Sequence, residues 1–216
     1  MLEKLPDAIG QALSDVRAGL DKTAAMQVDL RGGTAALTLT SLAFADHAPI
    51  PALYTADGDG RSPPLAWSGV PAQAAEVVLI VEDADAPTPQ PLVHAIVVGL
   101  PPGDGALAEG ALSDDATADA LHAGRNSYLG HRWIAPDPPP GHGTHRYVFQ
   151  LFALEAGTDW SGTPGREELL EAVAARGLAA GRLFGTYARP DGSIRADEPE
   201  PAAVVLPGAG GPLAAA

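Results

Sequence analysis

Three apolar runs dominate the chain: Val77–Val81, Leu92–Val98 and Tyr147–Leu154. Each is short, continuous and rich in β-branched or aromatic residues. That pattern predicts strands buried on both faces. Leu37-Thr38-Leu39-Thr40 alternates and predicts a half-exposed strand, and Leu183–Ala188 predicts a last one. Helical periodicity occurs twice. Leu5, Ile9, Leu13, Val16 and Leu20 recur at spacings of 4, 4, 3 and 4, which predicts one amphipathic helix over residues 2–20 with Pro6 near its first turn. A second helix is predicted to be capped by Thr163, with Pro164 at N1 and Glu167 and Glu168 in its first turn. Leu169, Leu170 and Val173 supply its buried face, and Gly177 and Gly181 limit it. Residues 45–76 read as loop, with Trp67 as the anchor that holds the meander to the core. Residues 101–127 read as a long acidic loop. The organisation expected is an N-terminal amphipathic helical extension (1–24), a β domain (25–189) and a Pro/Ala/Gly-rich flexible or extended tail (190–216). The first helix either caps its own domain or lies between subunits.

Composition narrows the function classes. With Gly 25 and Pro 21 in 216 residues, short strands and many turns are favoured over long helices. The 13 Lys+Arg against 27 Asp+Glu give a net charge of −14, which argues against nucleic acid and against adsorption to an anionic membrane. There is no cysteine, so disulfides and thiolate chemistry are excluded. No apolar run approaches the length of a membrane span. Glu3, Lys4 and Asp7 interrupt the N-terminus and no apolar signal region follows, so a cytoplasmic location is expected.

The candidate chemistry sits where the apolar runs meet loops. Val81-Glu82-Asp83-Ala84-Asp85-Ala86-Pro87 ends one run, and Pro138-Pro139-Pro140-Gly141-His142-Gly143-Thr144-His145-Arg146-Tyr147 begins another. Strand alternation puts Asp83 with Asp85, and His145 with Tyr147, on common sides, and places His94 with Ile96 and Val98. If these ends meet, two imidazoles and a phenol can donate to phosphate or carboxylate oxygens. A nearby aspartate would turn a histidine into a charged donor. Blander readings stand beside these. Asp83 and Asp85 serve equally as turn residues before Pro87, His94 as a core histidine, and His142 as a solvated loop residue. Arg146 is expected to pair an acid, and Trp133 and Trp160 to pack.

Several motifs in order carry a resemblance. They are Ser62-Pro63-Pro64-Leu65-Ala66-Trp67-Ser68-Gly69-Val70-Pro71, Asp83-Ala84-Asp85-Ala86-Pro87, Gly124-Arg125-Asn126-Ser127-Tyr128, and Pro138-Pro139 through His145-Arg146-Tyr147. Gly165-Arg166-Glu167-Glu168-Leu169-Leu170 and Gly185-Thr186-Tyr187 close the series. From about residue 37 to 189 the chain resembles the phosphatidylethanolamine-binding protein family, in its bacterial Raf-kinase-inhibitor-like branch. The resemblance implies a mainly β fold, an antiparallel β-sandwich with a few peripheral helices and a small anion pocket. It implies Asp83, His94, Pro138, His145 and Tyr147 as ligand-binding residues, with Asp85, Pro87 and Pro139 shaping the loops. It therefore makes His94 a site residue against the reading from spacing alone. Ala84 stands where the family's first signature has a proline, and Leu92 and Val93 where aromatic residues precede the strand histidine. Trp133-Ile134-Ala135-Pro136-Asp137 replaces the usual glycine-rich run.

The function expected is cofactor-free, non-enzymatic binding of a phosphate-bearing or carboxylate ligand, such as a phospholipid head group like phosphoethanolamine. A protein kinase or protease partner and a homodimer are further expectations. One rival is a metal-assisted hydrolase using Asp83, His94 and His145, with His142 as a fourth ligand, although no compact metal motif supports it. No GxSxG elbow supports a serine hydrolase. The other rival is an assembly module that dimerises through the N-terminal helix.

Overall fold

The computed structural model of the chain describes residues 6–30, 35–113, 120–160 and 162–190. Residues 2–5 of the expected first helix, residues 114–119 of the acidic loop and the tail beyond Pro190 lie outside them. In chain order the strands are β1 (Ala35–Ala36), β2 (Thr38–Thr40), β3 (Ala48–Pro49), β4 (Leu65–Ser68), β5 (Glu76–Asp83), β6 (Leu92–Leu100), β7 (Gly105–Leu107), β8 (His122–Ala123), β9 (His145–Leu154) and β10 (Gly177–Tyr187). The helices are α1 (Asp7–Ala12), α2 (Ala24–Gln27) and α3 (Arg166–Arg176).

The long strands form the middle of a seven-stranded sheet in the order β1-β10-β9-β5-β6-β8, with β3 also paired to β10. Each neighbouring pair along β10, β9, β5 and β6 is antiparallel, while β1 and β3 run parallel to β10. A three-stranded sheet, β2-β4-β7, covers one face. Between the two sheets Leu39, Leu65, Trp67 and Leu107 pack with Leu79, Val81, Phe149 and Leu151. On the opposite face Val78, Ile80 and Phe152 pack with Leu169 and Val173 of α3 and with Ala24. The architecture is thus mainly β, a sandwich with a helical layer outside one sheet. β5 is covered on both sides because alternate residues of its apolar run serve the two layers.

The N-terminal segment departs from its periodicity. It is helical only over Asp7–Ala12, and Ile9 and Val16, expected on a buried stripe, are exposed. Tertiary hydrogen bonds displace the helical ones. Ala18 N donates to Ala86 O at 3.0 Å and Gly19 N to Ala84 O at 2.8 Å. Beyond them the buried Glu82 carboxylate accepts from Ala24 N at 2.7 Å, Gln150 Nε2 at 2.6 Å and Arg166 Nε at 2.6 Å. Arg166 also donates to Lys22 O, and Ala25 N donates to Gln150 Oε1 at 2.7 Å. α1 itself sits on the second signature loop. A Cβ on Gly10 would lie 1.8 Å from Pro140 O, so only glycine permits this approach.

α3 starts at Arg166, two residues later than the Thr163 cap implies, with Gly165 as N-cap and no side-chain cap. Pro164 O is engaged by Arg125 N at 2.8 Å instead. Its C-terminal end also differs: β10 follows directly from Gly177 rather than beginning near Leu183. Gly181 lies within that strand, where a Cβ would meet Leu37 O at 2.6 Å. The glycine marks close backbone approach, not a helix end.

Candidate functional site

Register brings the two signature segments to one end of the large sheet. Asp83, last in β5, lies opposite Tyr147 on β9 and Leu92 on β6. Alternation along β5 and β9 directs Asp83, His145 and Tyr147 toward the layer that holds Val81 and Phe149. His94 reaches that layer by a different route. Ala95 pairs with Val81 and Val93 with Glu82, so His94 has no counterpart on β5 and forms a β-bulge. The extra residue breaks the expected parity with Ile96 and Val98. The His94 ring instead lies 5.2 Å from that of Tyr147 and 5.8 Å from that of Trp133.

A row of short hydrogen bonds crosses the site. Asp83 Oδ2 and His145 Nδ1 are 2.7 Å apart, His145 Nε2 and His142 Nδ1 2.7 Å, and His142 Nε2 and Leu13 O 2.8 Å. Each contact needs one proton, but two neutral imidazoles supply only two. Leu13 O can only accept, so His142 donates to it and receives from His145 Nε2–H. His145 then also carries the proton directed at Asp83, as an imidazolium beside a carboxylate. His142 stays neutral: burial holds its pKa below the usual value, and the neighbouring His145 charge lowers it further. The sequence reading of His142 as solvated is therefore corrected, since its side chain is buried. His145 spends both ring nitrogens inside the row, so it has no free donor for a ligand.

Charged residues around the row are also engaged. Asp85, read as a loop former, accepts from Arg146 Nε and Nη2 at 2.7 Å each and from Arg146 N at 2.8 Å. Burial opposes ionisation of Asp85, yet these bonds hold its pKa below the usual value. Arg17 lies 3.2 Å from the same carboxylate and donates to Thr144 O and His142 O at 2.8 and 2.9 Å. These ties, rather than a proline at position 84, hold the first signature loop. Arg189 donates to Pro138 O at 3.1 Å, to Asp137 at 2.7 Å and to Asp57 at 3.0 Å.

Asp83, His94, His145, Pro138, Pro139 and Pro87 line one small cavity together with Ala86, Leu92, Tyr128, Ile134, Ala135 and Asp137. It holds about 40 Å³, and one water needs roughly 10–15 Å³, so about three water-sized groups fit. That suits the oxygens of one phosphate or carboxylate. Tyr147 is not part of the lining; its ring packs against His94 and His145 from within the core. Its hydroxyl is buried without a hydrogen-bond partner, as is His94 Nε2. His94 Nδ1 donates to Ile134 O at 2.5 Å. Burial pushes the His94 pKa down, against the pull of Asp83 and the Ile134 carbonyl, and pushes the Tyr147 phenol well above its ordinary range.

A larger cleft of about 510 Å³ opens near Arg125 and Arg166, but Arg166 is spent on Glu82, and Glu167 and Glu168 share its lining. Among the described residues no group of three or more His, Asp or Glu side chains is arranged to hold a metal ion. Sequence reasoning weighed His142 only as a solvated residue or a metal ligand, and missed Arg17, Asp137 and Arg189. The His142-x-x-His145 spacing and an arginine two residues after the last strand were visible signals; Arg17 left none.

Comparison with known proteins agrees with the fold and motifs. The phosphatidylethanolamine-binding protein profile matches residues 40–188. A UPF0098 protein of Methanothermobacter thermautotrophicus is 37% identical over 155 residues, 71% of this chain and 99% of its own. One Mycobacterium tuberculosis relative, 38% identical over 151 residues, covering 70% of this chain and 72% of its own, carries a lipoprotein designation, LppC. No described helix here is long and apolar enough to cross a membrane. Among solved structures, the phosphatidylethanolamine-binding protein homologue CT736 of Chlamydia trachomatis superposes with a TM-score of 0.64 at 37% identity, covering 73% of this chain and 100% of that one. E. coli YbcL gives 0.65 at 25% identity, covering 71% and 99%. With the profile spanning most of the chain and relatives matched over most of their length, the chain belongs to the phosphatidylethanolamine-binding protein family.

Proposed function

We propose that the chain binds the oxyanion end of a small ligand, a phosphate monoester or a carboxylate, in the cavity lined by Asp83, His94, Pro138 and His145. Tyr147 acts from beneath it. The observation that carries the reading is a pair of buried, unpartnered polar atoms, His94 Nε2 and the Tyr147 hydroxyl. Such atoms destabilise a fold by about 1–3 kcal/mol each, and a ligand that satisfies them removes that cost. Phosphoethanolamine, the head group in the family's name, is the first ligand to test. The cavity accepts the tetrahedral group alone, leaving the rest of the molecule outside past Tyr128.

Binding rather than catalysis fits the arrangement. His145 and His142 have no lone pair to spare for a metal. A kinase or protease partner would present a phosphorylated or carboxylate side chain to the same cavity. Self-association is a separate part of the proposal, supported by the exposed Ile9 and Val16 of the N-terminal segment. A cytoplasmic site of action stays with the proposal and is tested by fractionation of the producing cell.

Calorimetric titration with phosphoethanolamine, phosphoserine and acetate tests the binding. Saturable one-to-one binding that weakens in His94→Ala is expected. Binding unchanged in His94→Ala and Tyr147→Phe alike would place the ligand elsewhere.

A further inference from the structure

We infer that this pocket takes its ligand in a proton-bearing form, a monoanionic phosphate monoester or an undissociated carboxyl group, with His94 Nε2 as the acceptor of that proton. The inference rests on the binding proposal above and specifies the ligand's protonation state.

The argument is a count of donors. Ile134 O, 2.5 Å from His94 Nδ1, can only accept, so the proton of the neutral ring sits on Nδ1. Nε2 is then a bare lone pair, fully buried and without a partner, on a residue that lines the cavity. The groups around the ring come from several elements. Asp83 from β5 is bonded to His145, and His145 from β9 has both nitrogens engaged. Trp133 and Tyr147 pack against the ring. Tyr128 and Asp137 come from the loops on either side of Trp133, and Asp137 is held by Arg189.

Among the described residues that line the cavity there is no lysine or arginine. Arg146 and Arg17 are directed at Asp85, and Arg189 at Asp57, Asp137 and Pro138 O. The His145 charge is matched by Asp83. A fully ionised phosphate would therefore meet two carboxylates in the lining, Asp83 and Asp137, and a lone pair on His94. A ligand oxygen that carries hydrogen reverses this, because its O–H donates to Nε2. If the proton crosses, the ligand O–H bond breaks as the Nε2–H bond forms, and imidazolium faces dianion. Atoms and charge balance, and the proton count of the complex is the same either way. Burial favours the neutral His94 ring in the empty pocket, so the proton enters with the ligand.

The test is a proton count at pH 8. The second pKa of a phosphate monoester is about 6, so the free ligand is almost wholly dianionic there. Phosphoethanolamine is titrated into the full chain in two buffers of different ionisation enthalpy. The expected result is uptake of about one proton per ligand and an affinity that falls about tenfold for each pH unit from 7 to 9. Acetate should show the same uptake. His94→Gln, whose amide can present an N–H, should bind with uptake near zero and a flat profile. Wild-type binding with no proton uptake overturns this inference and leaves the binding proposal standing. Absence of saturable binding for phosphoethanolamine, phosphoserine and acetate overturns both.

Discussion

Replacing Arg189 with methionine should destabilise the protein by about 3 kcal/mol. The magnitude follows from its surroundings. The Arg189 side chain is fully buried, and its guanidinium bonds Asp57, Asp137 and Pro138 O. Removing one member of a buried ion pair costs about 3–5 kcal/mol, because the remaining charge is stranded. Here the stranded carboxylates keep some access to water, 22% exposure for Asp57 and 15% for Asp137, which sets the lower end of that range. Methionine retains much of the apolar stem, so lost packing contributes little. Urea unfolding followed by tryptophan fluorescence reads the effect. With an m-value of about 2 kcal/mol per M, the midpoint should fall by about 1.5 M at unchanged m. Arg189→Lys should fall between, since an ammonium keeps the charge but cannot span three partners. Phosphoethanolamine binding should weaken in the methionine variant, as Pro138 and Asp137 lose their tether. A midpoint shift below about 0.3 M with m unchanged would show that the three-way tie is not a source of stability.

Three other outcomes follow from the same geometry. Glu82→Ala removes the acceptor shared by Ala24 N, Gln150 and Arg166 and should cost about 3–5 kcal/mol, with amide exchange of Ala18 and Gly19 accelerating before global unfolding. Asp85 has a folded-state pKa below its unfolded value, so its contribution is present above the ordinary carboxylate pKa of 3.8 and lost as pH falls through the folded value; acid unfolding of Asp85→Asn should begin earlier on the pH scale and lack this part of the slope. Tyr147→Phe removes a buried hydroxyl without a partner, so thermal unfolding should show stability unchanged or raised by about 1 kcal/mol while phosphoethanolamine binding weakens; a large loss of stability would contradict the unpartnered hydroxyl.

The sandwich was legible because β-branched runs such as Val77–Val81 have few alternatives, and because the signature motifs occur in order. The bulge at His94 was not. Neither glycine nor a change of pattern marks it, and alternation alone directs the ring to the opposite layer. Asp83 and His145 were legible from their motifs, whereas the row through His142 depends on Leu13 O, which lies 129 residues away. The helix over 2–20 failed for a related reason. A spacing of 4, 4, 3 and 4 reports helical preference, but Ala18 and Gly19 find backbone partners in the first signature loop that a helix would forgo. The start of α3 was misplaced because Thr163 and Pro164 have the chemistry of a helix start while Arg125 N occupies the carbonyl of Pro164.

The stitching of residues 7–25 to both signature loops also dictates an order of events during synthesis. These residues are made before the partners they dock on, and some of those partners are far down the chain. Arg17 waits for His142 and Thr144, 125 and 127 positions later, and Lys22 O waits for Arg166, 144 positions later. At roughly 5–20 residues per second, the nascent segment spends about 6–30 s without these long-range contacts. During that interval Ile9, Leu13, Val16 and Leu20 stand on one flank of any transient helix, the amphipathic form their spacing favours in isolation. Residues 7–25 are therefore a part of this chain that a ribosome-associated chaperone has reason to hold until those partners are made.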